Sequence, residues 1–170
     1  MKFRLADVKD YQNIYQLVKT AFETAKVSDG NEQDFVLKLR DSNNFIPELE
    51  FVCENENELI GHIMMTHQVI DTNNGDYLGL LVAPLCVKLE NRNNGIGGAL
   101  IKYAHKEALR IGYKAVFLVG DPNYYGKFGY RQISEFKIVN NTEIPDQFIL
   151  GCELIPGALT EVEGSINIFE

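Results

Sequence analysis

Residues 91 to 104 read NRNNGIGGALIKYA, and the small, uncharged residues at the start of this stretch suit one kind of chemistry. A glycine-rich turn feeding a helix N-terminus aims free N–H groups and the positive end of the helix dipole at one point, which makes a receptor for an anion. The chain carries formal net charge -8, so the attraction has to come from the backbone. No Gly-Lys-Ser/Thr closes the turn, which excludes a Walker phosphate loop. A dinucleotide-binding turn wants glycine or alanine at position 100, where this chain has Leu100, although Asp121 follows the next strand where an acidic ribose ligand belongs. That reading stays open, as does a turn whose glycines serve packing alone. The three cysteines, Cys53, Cys86 and Cys152, are scattered and lack CxxC spacing, so neither a disulfide framework nor a zinc site is indicated and no metal is expected.

The elements that position this turn follow from periodicity. Phe3 and Leu5 alternate with charged residues as a short strand would, and Asp7 is placed to cap a helix whose apolar face is Ile14, Leu17, Val18, Ala21 and Phe22. A shorter helical pattern covers NEQDFVLKLR, with Phe35, Val36 and Leu39 as its stripe and Glu32 and Asp34 near the favourable end of its dipole. From Glu50 the period becomes strand-like. EFVCE and LIGHIMMTHQVI are joined by ENENE, a hairpin turn, and DTNNGD leads into YLGLLVAPLCVKL. Pro84 cannot donate to a ladder, so the last strand is expected to bulge or part from its neighbour there. A helix over residues 95 to 111 ends at Gly112, and KAVFLVG follows as a strand buried on both faces. Next, DPNYYGKFGYRQI predicts a helical turn begun by Pro122 and closed by Gly129, then a strand from Tyr130. QFILGCELI is a further strand, and PGALTEVEGSINIFE is a tail with some β character.

The length, 170 residues, suits one domain, here taken as residues 1–170 with 136–170 as a C-terminal extension. The start, MKFRLADVKD, lacks the apolar region of a signal peptide and no apolar run approaches a membrane span, which predicts a cytoplasmic protein with no membrane partner. An excess of 24 acidic over 16 basic residues argues against nucleic acid as a partner and suits a cationic one.

Arg92-Asn93-Asn94-Gly95-Ile96-Gly97 resembles the R/Q-x-x-G-x-G/A signature of the GNAT superfamily of N-acetyltransferases, and it sits where that family puts it, after a broken strand and before an amphipathic helix. YYGKFGY, residues 124 to 130, is similar to the family's Y-x-x-x-G-F/Y. GDPNYYGKFGYR and LIPGAL look like the YhbS-type branch of bacterial acetyltransferases. The resemblance implies an α/β GNAT fold, with a mixed, mostly antiparallel sheet of about seven strands, helices on both faces and a splayed central strand pair. It implies an N-acetyltransferase that moves an acetyl group from acetyl-coenzyme A to a primary amine by direct attack in a ternary complex. The backbone of Arg92, Asn93, Asn94, Gly95, Ile96, Gly97 and Gly98 would wrap the pyrophosphate. Leu85, Cys86 and Val87 would pair with the pantetheine arm, and the N–H of Val87 would polarise the thioester carbonyl.

By the same resemblance Tyr125 is the general acid that protonates the leaving thiolate, with Tyr124 as the neighbour to test against it; a tyrosine hydroxyl, ordinarily near about 10, is not far above a thiol. Cys86 is read as a packed small residue, since such enzymes transfer directly. The base is left open. Residues 77 to 87 hold no acid, where many relatives carry a carboxylate, and the candidates are His62, His67, Glu32, Asp34 or water, with His105 read as solvated. The acceptor is left open among a small amine, an amino acid, a drug and a protein amine, with the acidity of the chain inclining toward a cationic small molecule, and homodimers are common in the family. A second reading keeps the cofactor loop without turnover, as a non-catalytic acyl-coenzyme A sensor or structural module.

Overall fold

The computed structural model describes residues 1–25 and 28–169. The chain divides into two compact units, Met1–Thr66 with Val82–Glu107, and His67–Leu81 with Ala108–Glu170.

The first unit opens with β1 (Lys2–Leu5), followed by a 3-10 turn over Val8–Asp10 and then α1 (Tyr11–Phe22). Asp7 caps as expected, but it caps that turn: its carboxylate accepts the N–H of Lys9, and Asp10 returns the favour to the N–H of Asp7 at 2.8 Å. After α2 (Glu32–Arg40) come β2 (Glu50–Asn55), β3 (Glu58–Thr72) and β4 (Gly75–Val87), then α3 (Ile96–Arg110). Strands β3 and β4 and helix α3 run through both units. The β2–β3 turn is closed by Glu56 and Asn57, both left-handed at φ 50 and 65, the geometry that matches the twist of a two-residue hairpin.

Strand alternation sorts this unit's core onto two faces. Val52, Met64 and Cys86 join Ile14, Leu17, Val18, Ala21 and Val36 in one cluster under α1 and α2. On the other face Phe3 and Phe51 pack on Tyr103 of α3, with ring centroids 5.7 and 5.1 Å away. Gly61 is what lets α3 approach, because a Cβ there would sit 2.8 Å from Leu100 Cδ1 and 3.4 Å from Ile96 Cγ2.

In the second unit β5 (Ala115–Val119) lies parallel to β4, with Leu80 opposite Val116 and Leu81 opposite Phe117. This ladder stops before Pro84, as a residue without an N–H requires of a central strand. Next come α4 (Pro122–Tyr125), β6 (Arg131–Gln132), β7 (Ile138–Asn140), β8 (Ile149–Glu153) and β9 (Gly164–Ile166). Strand β8 is antiparallel to both β5 and β6, and β9 is antiparallel to β3 and parallel to β7. Along the sheet the hydrogen-bonded order is β1-β2-β3-β4-β5-β8-β6, with β9 on β3 and β7 on β9.

The described residues thus form a mixed sheet of nine strands, not about seven. The additions, β7 and β9, have three residues each, too short for alternation to register, and their partners are far along the chain. Residues beyond 136 are woven in, since β8 separates β5 from β6. Among the described residues no helix is long and apolar enough to cross a membrane.

Candidate functional site

The glycine turn is held from one side by a single guanidinium. A 3-10 turn over Leu89–Asn91 leaves β4; Arg92 is extended, and Asn93 and Gly95 are left-handed at φ 61 and 77 before α3 begins at Ile96. The first closed helical bond runs from Ala99 N–H to Gly95 O at 3.0 Å, so the amides of the preceding residues have no partner within the helix. Asn93, Asn94 and Gly95 are exposed and Gly97 and Gly98 are half-buried, whereas Ile96 is buried beneath Gly61. Ile96 can therefore offer a ligand its backbone alone. Gly95 has open space around the position of a Cβ; it is required for its left-handed backbone, not for clearance.

Arg92 itself looks inward. Its Nε donates to Val87 O at 3.1 Å, Nη1 to Thr24 Oγ1 at 3.0 Å and Nη2 to Ala21 O at 2.5 Å. Ala21 is in the last turn of α1, where carbonyls lack helical donors and cations are favoured. The side chain thus ties the end of β4, the turn and the end of α1 together, and this inward role was not legible in the motif.

Leu85 and Val87 are half-buried and Cys86 is 6% exposed, inside the α1/α2 cluster. Burial pushes the Cys86 thiol up to about 12, so it stays protonated and is no nucleophile. Lys88, just beyond, donates its N–H to Ile60 O at 2.8 Å and pairs its ammonium with Glu58.

Tyr125 belongs to the second unit. It ends α4, which starts with Asp121 accepting the N–H of Asn123 and Pro122 in the first turn, and which closes through a 3-10 turn at Gly129, φ 89. The ring stands edge-on to Tyr124 at 4.9 Å and to Tyr130 at 5.8 Å. Its other side lies on Gly120, where a Cβ would fall 2.8 Å from Tyr125 Cδ2 and closer still to Cε2. Burial first, and Tyr124 second, lift the Tyr125 hydroxyl to about 12. Tyr124 is exposed, and burial of its hydroxyl raises it too. Gly120 is a residue the motif does not contain, and its only sequence signal is a glycine between a buried strand and Asp-Pro.

The base candidates are placed differently from one another. His62 is 0% exposed, with Nε2 2.8 Å from Glu50 Oε1, and Glu50 is gripped by Arg40. His67, in the second unit, is half-buried with Nε2 2.6 Å from Tyr113 Oη. Asp34 accepts the Tyr15 hydroxyl at 2.9 Å, and Glu32 Oε1 accepts the N–H of Asp29 at 3.3 Å. His105 is not simply solvated: it is half-buried, and burial lowers it to about 4, so it is neutral. Its place beside the buried Ile101, Ala104 and Ala108 on α3 explains why.

Residues 2–133 match the family model described as an acetyltransferase (GNAT) domain. An uncharacterized N-acetyltransferase of Escherichia coli K12, YjhQ, is 28% identical over 128 residues, covering 75% of this chain and 68% of that protein. Among solved structures, the GNAT family N-acetyltransferase YhbS of Escherichia coli in complex with CoA superposes with a TM-score of 0.83 at 23% identity, covering 97% of this chain and 87% of that one. A GNAT family acetyltransferase of Brucella melitensis in complex with acetyl-CoA gives 0.79 at 22% identity, covering 97% and 93%. With its glycine turn after β4, its β4–β5 ladder that stops before Pro84 and its tyrosine after β5, this chain belongs to the GNAT family of acetyltransferases.

Proposed function

We propose that this protein transfers an acetyl group from acetyl-coenzyme A to a primary amine by direct attack in a ternary complex. The observation that carries the reading is the turn from Asn91 to Gly98, where left-handed Asn93 and Gly95 lead into the open first turn of α3. A diphosphate needs several converging N–H donors at close approach, and glycines at 95, 97 and 98 suit this backbone to it. That two solved GNAT relatives hold CoA and acetyl-CoA supports the same ligand here.

In this reading the amides from Asn93 to Gly98 hold the pyrophosphate, and Arg92 shapes the turn through Val87, Ala21 and Thr24. The strand from Leu85 to Val87 receives the pantetheine arm, and the Val87 N–H polarises the thioester carbonyl. Tyr125 gives its proton to the departing sulfur. At about 12 its hydroxyl is fully protonated at neutral pH, which keeps the acid loaded. Proton transfer to an ordinary thiolate, near about 8.5, would be uphill. It becomes matched when the thiolate is desolvated beside the same rings, because burial raises a thiol just as it raises a phenol. The net charge of -8 favours a small cationic amine as the acceptor.

Isothermal titration with acetyl-coenzyme A, with NAD and ATP as controls, tests the reading without an acceptor. Binding of acetyl-coenzyme A alone is the expected result. Failure to bind it, or tighter binding of NAD, would show that the turn serves another ligand and remove the basis for the assignment.

A further inference from the structure

We infer that Arg40, Glu50 and His62 form a relay that presents a bare imidazole Nδ1 as the proton acceptor for the attacking amine, an assignment that rests on the acetyl-transfer reading above. The three residues come from α2, β2 and β3. Arg40 grips both oxygens of Glu50, Nη2 to Oε1 at 2.5 Å and Nε to Oε2 at 3.1 Å, and His62 Nε2 meets the same Oε1 at 2.8 Å. Glu50 and His62 are 1% and 0% exposed.

The protonation pattern follows from this geometry. Burial opposes ionisation of Glu50, but the hydrogen bonds from His62 and Arg40 outweigh it and hold the carboxyl below its usual range. An ionised carboxylate only accepts, so the hydrogen between Glu50 and His62 sits on Nε2. Arg40 already balances the charge of Glu50. In the resting site, with no substrate bound, a second proton on His62 would add a positive charge beyond the one Arg40 already supplies, so the ring holds that proton only in passing during turnover. The relay thus carries its one resting ring proton on Nε2, facing Glu50, which leaves a lone pair on Nδ1. That atom is buried and has no hydrogen-bond partner among the described residues. A bare buried acceptor is costly unless something meets it, and Arg40 Nη1 in the same cluster is likewise buried with no partner among the described residues, so two polar atoms here are left for a substrate or its water.

The position suits the reaction. Lys88 N–H bonds to Ile60 O, a register that sets Cys86 across from His62 in the antiparallel hairpin and Val87 one residue on. The His62 backbone N–H reaches the Cys86 thiol. Strand residues 77 to 87 hold no carboxylate, and His62 supplies a base from the neighbouring strand instead. The titratable and charged groups placed against this cluster include Glu50 from β2, Arg40 from α2 with the Tyr11 ring of α1 3.7 Å from its guanidinium carbon, the Cys86 thiol from β4 and Arg92, whose charge acts on that thiol.

The proton balance closes. The ammonium form of the acceptor gives one proton to Nδ1, through a water that enters with the substrate, since Nδ1 is closed to bulk solvent. The freed nitrogen lone pair forms the N–C bond to the acetyl carbon. The C–S pair leaves on sulfur, which takes the Tyr125 proton. The second proton shed by nitrogen restores Tyr125, and the imidazolium returns its own proton through the same water, which carries it to solvent as the product leaves. Glu50 and Arg40 are positioning residues in this scheme, because they touch no substrate and act by fixing the tautomer.

The test joins a spectroscopic arm to a kinetic one. With three histidines in the chain, long-range proton–nitrogen correlations on nitrogen-15 protein, assigned by H62Q, report the protonation of each ring nitrogen. The expected result is His62 protonated at Nε2 and bare at Nδ1 at pH 7 in the wild type, with that pattern lost in E50Q. An imidazolium or an Nδ1–H tautomer in the wild type overturns the relay, and this arm needs no turnover and no variant that must survive a buried substitution. Thiol release from acetyl-coenzyme A with a panel of simple diamines supplies the second readout. H62Q should lower kcat at least hundredfold and E50Q about tenfold, with acetyl-coenzyme A affinity within twofold of wild type. Full turnover in H62Q overturns the assignment and leaves a structural staple. Failure of the wild type to bind acetyl-coenzyme A, or to release thiol with any amine, would overturn the acetyl-transfer reading itself and the base with it, while the tautomer result stands separately.

Discussion

Two regions assigned to one reaction are built by opposite means. The turn after β4 offers exposed backbone, and one side chain, Arg92, fixes its shape from behind through Val87 O, Ala21 O and Thr24 Oγ1. The region after β5 offers a side chain, Tyr125, and fixes it by packing alone, on Gly120 and against the rings of Tyr124 and Tyr130. A backbone receptor tolerates change at most of its residues and fails at the one that shapes it. A packed side chain fails at its functional atom and wherever its seat changes volume.

That contrast sets the expected effects in order. Tyr125→Phe removes one oxygen and little packing; turnover should fall about hundredfold, the lower end of what an acid contributes, with acetyl-coenzyme A affinity retained. Loss of affinity instead would move Tyr125 from the chemistry to the cradle. Arg92→Gln should do the reverse, weakening acetyl-coenzyme A binding roughly tenfold or more, as the loss of charge-assisted hydrogen bonds predicts. Arg92→Lys should recover little, because a single ammonium cannot span three acceptors. Thr24→Val, which takes away one partner and no group near a phosphate, should weaken binding by a smaller step of the same kind; an unchanged Kd would argue that Arg92 reaches the ligand directly. Gly120→Ala should push the Tyr125 ring from its seat and cut turnover several-fold at nearly constant affinity, read from kcat and Kd side by side.

The smallest effect concerns a group outside both regions. His105 titrates near 6.5 in a free chain and about 4 in the fold, so the unfolded state takes up its proton first as pH falls. Above about 6.5 the residue contributes nothing to the pH dependence, and between 6.5 and 4 it draws stability down. Melting temperatures of the wild type should decline across that window, and His105→Gln should flatten part of the decline.

What sequence could say about this protein depended on how local the cause was. The turn at Arg92 to Gly98 and the tyrosines before Gly129 are written in consecutive residues, so their resemblance to family motifs could single them out as candidates. Helices α1 and α3 declared themselves by periodicity, and Pro84 marked where the β4 ladder to β5 stops. Arg40, Glu50 and His62 were illegible as a group because they meet across three elements, and nothing in EFVCE says that the glutamate before Phe51 points into a core. The inward aim of Arg92 was hidden for the same reason, its partners being 71 and 68 residues away. His105 was misjudged because one residue at the margin of a helical stripe is decided by what packs over it. Strands β7 and β9 hold too few residues to alternate.

The grip of Arg92 on Ala21 and Thr24 also bears on how the chain acquires its shape. Helix α1 is a local structure, able to form early from contacts close in sequence, whereas the turn beyond β4 gains its bonds to Ala21 and Thr24 only once that helix is in place. The two should therefore exchange their amide hydrogens as one cooperative block, so that anything that frays the last turn of α1 also loosens a loop some seventy residues downstream.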